Sequence, residues 1–199
     1  MDAGPERRRF GICYGWWRGD AIPSLQQPAG LMIERLDGGQ PIPAIDTLDP
    51  AEAGALRREG YRLYVARLGA EVVGYGWAAT KTATIGELGV EMRLAPNDRY
   101  LWGFVTLSRW RGRGIYPALI QAMLAGEADA DRCWIGHDVG NDASARGILK
   151  AGFAPVGEAF QGADDVLRYA RSGDDERARD AGRLTRSGAY GLGRQAGVA

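Results

Sequence analysis

The sequence predicts an α/β fold in which one mixed, mostly antiparallel sheet is flanked by helices. Three observations carry this. The apolar run 100–107 leads through a glycine-bearing turn, 109–115, into the helix-like stretch 116–124. Two strand-like stretches, 61–66 and 71–77, flank Gly69 and read as a hairpin. Residues 132–137 form a further strand, followed by a helix over 141–150 closed by Gly152 and by strand-like stretches at 153–160 and 166–169.

In chain order, residues 1–30 mix Gly, Pro and Arg with Tyr14, Trp16 and Trp17 and are assigned as an N-terminal arm. Residues 31–36 are a short strand. Asp49, Pro50 and Glu52 open a helix, because Asp caps, Pro suits the first turn and Glu complements the dipole. That helix ends near Gly60. After the hairpin, residues 84–94 alternate Leu88, Val90, Met92 and Leu94 with Glu87, Gly89, Glu91 and Arg93, the pattern of one half-buried strand. The domain therefore runs over 31–171. From 172 onward the chain is rich in Gly, Arg and Asp with few apolar residues, so 172–199 is expected to be a disordered tail.

At 199 residues the chain suits one catalytic domain with a single core. Its 25 basic and 25 acidic residues cancel, so no overall field draws it to nucleic acid or to an anionic membrane. No apolar run approaches the roughly 20 residues that span a bilayer. Cys13 and Cys133 are too few for a disulfide framework, and a single histidine, His137, cannot complete a zinc set, so no metal is expected. Arg7, Arg8 and Arg9 precede a short, glycine-interrupted stretch that fits neither a signal peptide nor a twin-arginine leader. A cytoplasmic protein is the expectation.

The 109–114 turn is built to hold an anion. Gly112 and Gly114 allow positive φ and close backbone approach, and the first amides of the following helix have no intrahelical partner. The helix dipole adds partial positive charge there, and Arg109, Arg111 and Arg113 add full charges. A pyrophosphate suits such a cradle better than a duplex backbone does. A kinase or nucleotide hydrolase is excluded, because the Lys-Ser/Thr ending of a P-loop and a magnesium carboxylate motif are both missing.

Arg109-x-x-Gly112-x-Gly114 also resembles the (Gln/Arg)-x-x-Gly-x-(Gly/Ala) signature of the GNAT superfamily of acyl-CoA-dependent N-acyltransferases. The later stretch 141–153, ending Lys150-Ala151-Gly152-Phe153, is similar to that family's Lys-Leu-Gly-Phe ending. The resemblance implies a GNAT-like sheet splayed at the cofactor site, with acetyl-CoA as co-substrate and an amine as acceptor. It assigns backbone groups of Val105, Thr106 and Leu107 to the pantetheine arm, and Arg109, Arg111, Gly112, Arg113, Gly114 and Ile115 to the pyrophosphate. Asn141 would bond the pantetheine, and Ser144 or Arg146 would reach the thiol or ribose-phosphate end; Asn141 is equally suited to cap its helix. The tyrosine that commonly protonates the thiolate in this family aligns with Ile148, which has no proton to give. Ser144, a tyrosine placed elsewhere such as Tyr116, or water is left for that role.

Acyl transfer to an amine also needs a base. Glu87 and Glu91 share a strand face, and Glu91 is the preferred carboxylate of the two. His137 stands at the end of its strand, followed by Asp138, which can orient the ring. The same residues read equally as a solvated strand face and a structural histidine. The sequence thus points to N-acetyl transfer from acetyl-CoA to a primary amine, a small molecule ahead of a protein N-terminus or lysine. The competing reading is a non-catalytic acyl-CoA-binding or regulatory module. No partner beyond acetyl-CoA and the amine is called for, and oligomeric state is not legible.

Overall fold

A computed structural model describes residues 8–36, 38–85, 90–161, 167–172, 176–177 and 179–180. The chain runs β1 (Arg8–Trp17), β2 (Leu31–Leu36), α1 (Pro50–Arg58), β3 (Arg62–Leu68), β4 (Glu71–Ala79), β5 (Thr82–Ile85), β6 (Val90–Arg93), β7 (Asp98–Thr106), α2 (Ile115–Gly126), β8 (Arg132–Asp138), α3 (Asp142–Lys150), β9 (Ala154–Gln161) and β10 (Leu167–Arg171). Eight strands form one sheet in the order β10-β9-β1-β8-β7-β4-β3-β2. Every neighbouring pair is antiparallel except β7 and β8, which run parallel.

The helices start where local chemistry starts them. Asp49 Oδ1 accepts from the Ala51 amide at 2.8 Å with Pro50 at the first position. Asn141 Oδ1 accepts from the Ser144 amide at 3.1 Å, and α3 stops before Gly152, whose φ of 103° few other residues adopt. On β3, Leu63 and Val65 pack with Ala53 of α1 while Tyr64 and Ala66 face α2, so the strand is buried on both sides. The C-terminus of α2 is tied down by Glu127. Fully enclosed, this residue accepts from Tyr64 Oη and Arg99 Nε at 2.7 Å each and also pairs with Arg62.

Three expectations change. The stretch assigned as an arm contains β1, an interior strand paired to β8 from Gly11↔Asp138 to Trp17↔Arg132 and to β9 on its other side. Gly11 and Gly15, which read as breakers, provide clearance: a Cβ on Gly11 would lie 2.5 Å from the His137 carbonyl oxygen, and one on Gly15 2.5 Å from the Trp17 ring. The alternation over 84–94 is divided between two strands. β5 and β6 pair antiparallel in a small sheet of their own, and the connection 86–89 with Glu87 lies outside the described residues. Of the expected disordered tail, Arg177 pairs with Asp20 and lies over the Trp17 ring at 4.6 Å, and Asp180 accepts from Arg132 at 2.9 Å. Residues 181–199 lie outside the described residues.

Candidate functional site

The site exists because β7 and β8 part. They pair only from Asp98↔Arg132 to Leu101↔Ile135, although β7 continues to Thr106 and β8 to Asp138. On its other side β7 is paired to β4, and there Trp77 faces Trp102 while Tyr75 faces Val105, so Gly103 and Phe104 oppose the single residue Gly76. Such a bulge bends the strand. Gly103 takes a φ of 62°, and a Cβ on Gly76 would lie 2.7 Å from the Phe104 ring, so both glycines are required by the geometry.

A cavity of about 820 Å³ fills the resulting V. Its walls are Tyr100–Thr106 of β7, Gly136–Asp138 of β8, the turn and first residues of α2, the inner face of α3, and Phe10–Cys13 of β1. At the turn Gly112 and Gly114 have φ of 75° and 79°, and Gly114 is the left-handed residue from which α2 begins. Gly112, Gly114, Ile115 and Arg111 line the cavity, together with Arg146 and Lys150 from α3.

Of the turn's three arginines Arg111 lines the cavity, and its Nε donates to the Thr106 carbonyl at 3.1 Å. Arg109 pairs with Glu71, whose carboxyl is held below its ordinary range by the Trp110 indole N–H and by Arg109 itself. Arg113 stacks over the Trp110 ring at 4.8 Å. Arg109 and Arg113 are thus placed outside the cavity wall, the first by a carboxylate on β4 and the second by an aromatic neighbour. Val105 and Thr106 line the cavity, whereas the Leu107 amide is used by the Val73 carbonyl at 3.0 Å and Leu107 does not.

Asn141 caps α3 and also lines the cavity. Ser144 Oγ is 2.9 Å from Tyr116 Oη, and both residues are at the wall. Ile148 is fully buried in the core with Leu119 and Ile120. Glu91 stands on β6 opposite Thr84, in the small sheet.

His137 lines the cavity with both ring nitrogens engaged. Nδ1 is 2.8 Å from the Asp138 carbonyl and Nε2 is 3.0 Å from Tyr14 Oη. A carbonyl only accepts, so Nδ1 carries the proton; in the neutral ring Nε2 then accepts from the Tyr14 hydroxyl. Tyr14 was not singled out as a site residue in the sequence. The signal was present: Phe10, Ile12, Tyr14 and Trp16 alternate with Gly11, Cys13, Gly15 and Trp17, the period of a strand. Cys13 is at the wall, and burial pushes its thiol up to about 12, so it is neutral. Among the described residues no group of His, Cys, Asp and Glu could hold a metal ion.

Comparison with known proteins agrees with this geometry. The model of the Acetyltransferase (GNAT) family matches residues 31–153, more than half of the chain. The chain belongs to the GNAT acetyltransferase family. Among solved structures this GNAT protein is similar to an acetyltransferase of the GNAT family from Colwellia psychrerythraea, at 13% identity and a TM-score of 0.54, covering 76% of this chain and 55% of that one. It is also similar to a GCN5-related N-acetyltransferase from Sphaerobacter thermophilus, at 16% identity and a TM-score of 0.51, covering 87% of this chain and 56% of that one. At such identities the likeness shows the fold, and this chain spans little more than half the length of either structure. No match was found among curated proteins.

Proposed function

We propose that this GNAT protein transfers the acetyl group of acetyl-CoA to a small primary amine. The observation that carries the reading is the V between β7 and β8, which runs from the part of β7 beyond its ladder with β8 to a glycine turn at the start of α2. A long ligand with an amide-bearing arm and a pyrophosphate fits that sequence of surfaces. Backbone groups of Val105 and Thr106 and the Asn141 side chain would take the arm. The amides of 112–115 would take the pyrophosphate, with Arg111, Arg146 and Lys150 supplying charge. Bound there, acetyl-CoA supplies an activated acyl group; the protein contributes position and proton handling.

The acceptor reading rests on the rest of the lining. Phe10, Ile12, Phe104 and His137 belong to the same cavity wall, and Asp138 is the only carboxylate among the described lining residues. A polycation or a lysine-rich protein would call for more negative charge, which favours a small amine with an apolar body. For the base, His137 has one basic atom, Nε2, and the proton lost by the acceptor nitrogen reaches it in exchange for, or by way of, the Tyr14 hydroxyl. The two free cysteines, Cys13 and Cys133, are compatible with a reducing cytoplasm, and no described helix is long and apolar enough to cross a membrane.

The test is calorimetric titration of acetyl-CoA into the wild type and Gly114→Asp, with thiol release screened over primary amines. The variant puts a side chain at φ 79°, against the Gln26 carbonyl oxygen 3.1 Å from its Cβ, and a carboxylate where phosphate should lie. Micromolar binding in the wild type, weakened by about tenfold or more in the variant, with thiol release for an apolar amine, is the expected result. Binding without release for any acceptor would assign the chain to acyl-CoA sensing, and no binding by the wild type would refute the cradle.

A further inference from the structure

Ile148 is 0% exposed and packs among Leu119, Ile120 and Phe153, so nothing at that position can meet a departing thiolate. The space beside α3 that a side chain at 147 would fill is occupied instead from α2. A Cβ on Gly147 would lie 2.6 Å from Tyr116 Cε1, so only glycine there admits the Tyr116 ring. The ring meets Phe104 edge-on at a centroid distance of 5.1 Å, and Phe104 belongs to the bulge where β7 and β8 part. The hydroxyl is 2.9 Å from Ser144 Oγ, and the Ser144 backbone N–H in turn donates to Asn141 Oδ1. Burial pushes Tyr116 up to about 12, against a smaller lowering by Ser144, so at neutral pH it is a phenol with a proton to donate.

We propose that the Tyr116 hydroxyl, positioned by Ser144, donates a hydrogen bond to the sulfur that leaves during acyl transfer. The proposal rests on the acetyl-CoA reading above. With its thioester lying along β7 and its acyl end at the bulge, acetyl-CoA would pass beside Tyr116, whose ring packs on Phe104. The acceptor lone pair forms the C–N bond, the C–S bond breaks, and sulfur leaves with the bonding pair. One proton passes from nitrogen to His137 Nε2 and on to solvent. The thiolate, held meanwhile by Tyr116, takes a proton from water, so that amine and thioester become amide and thiol. Drawn from the second residue of the cradle helix, the donor is fixed by the same element whose N-terminus would bind the pyrophosphate.

The test uses the product CoA, so it does not depend on knowing the acceptor. The thiol of bound CoA is titrated by the ultraviolet absorbance of its thiolate in the wild type, Tyr116→Phe and Ser144→Ala. Binding of CoA and of desulfo-CoA is measured in parallel by calorimetry. A hydrogen bond to an anion should lower the ionisation of the bound thiol by about one pH unit in the wild type. That shift should vanish in Tyr116→Phe and shrink in Ser144→Ala. Above the pH at which the thiol ionises, Tyr116→Phe should bind CoA about tenfold more weakly and desulfo-CoA as the wild type does. The same thiol ionisation in wild type and Tyr116→Phe, or equal weakening of both ligands, would overturn the proposal, since a packing role touches both alike. Failure of the wild type to bind either ligand would instead sink the underlying acetyl-CoA reading, and the proposal with it.

Discussion

His137 and Tyr14 are 123 positions apart in sequence, yet each defines what the other can do. With Nδ1–H committed to the Asp138 carbonyl, the imidazole has a single basic nitrogen, and the Tyr14 hydroxyl is already on it. If the pair handles the acceptor's proton as a unit, its members cannot contribute independently. Removing the imidazole by His137→Ala should lower kcat by about 100-fold, the usual worth of a positioned base. Tyr14→Phe, which keeps the ring contact and loses only the hydroxyl, should cost a large part of that. The double variant should be no slower than His137→Ala alone, with the affinity for acetyl-CoA little changed in all three. Steady-state kinetics on this cycle decides the matter: multiplicative losses would mean that the two act separately, and an unchanged kcat in His137→Ala would remove the histidine from the mechanism. Arg109 shows the converse situation. Its place in the signature suggests a phosphate ligand, but it donates to Glu71 on the β4 side of the turn, the carboxylate that also accepts from the Trp110 indole.

At the scale of elements, the part of the fold legible in sequence is the part whose period is unmixed. β3, β4 and the helices declare themselves by caps, by glycine ends and by apolar runs that agree with their length. The left-handed turn was legible for the same reason: backbone conformation is encoded locally by Gly112 and Gly114. What was not legible depends on partners distant in sequence. The outward turn of Arg109 is set by a carboxylate 38 residues away. β5 and β6 read as one strand because residues on both sides of 86–89 keep the same alternation. β1 was obscured by glycines that exist to let β8 approach it. Its removal should therefore be severe. Without residues 1–18, β8 would keep only its four-residue pairing with β7, β9 and β10 would lose their link to the sheet, and two strand edges would open to solvent. A chain starting at Gly19 should lose its cooperative urea transition when followed by circular dichroism. A cooperative transition with a midpoint and slope close to the full chain's would show that the family-matched region, 31–153, is stable without β1.

For the molecule as a whole, the cavity lies between two half-sheets, β10-β9-β1-β8 and β7-β4-β3-β2, that share one short parallel ladder. The closed end of the V is pinned by Asp98 of β7, 3% exposed, which accepts from Arg132 Nε at 2.7 Å and Trp134 Nε1 at 3.1 Å, both on β8. Both halves, and the cavity wall between them, contain weak acids, some buried and some half-buried, whose neutral form the fold favours. Burial pushes Cys13, Cys133 and Tyr116 up to about 12 and raises Tyr64 and Tyr100 further. In the unfolded chain these thiols ionise near 9 and these phenols near 10. Above those values the unfolded chain has released protons that the folded one still holds, so unfolding releases protons and stability falls as pH rises. The contribution of these groups is complete below about pH 8.5 and is lost on the way to the folded values, at about 1.4 kcal/mol per pH unit for each group involved. Five such groups acting together make the loss comparable with the usual 5–15 kcal/mol of a domain. Urea midpoints should hence be flat from pH 7 to 8.5 and decline steeply from 9 to 11. Tyr100→Phe, which removes one of the phenols, should make that decline shallower without moving the plateau by as much. A midpoint that stays level to pH 11 would mean that these groups ionise within the fold, and that the wall formed by Cys13, Tyr100 and Tyr116 admits water.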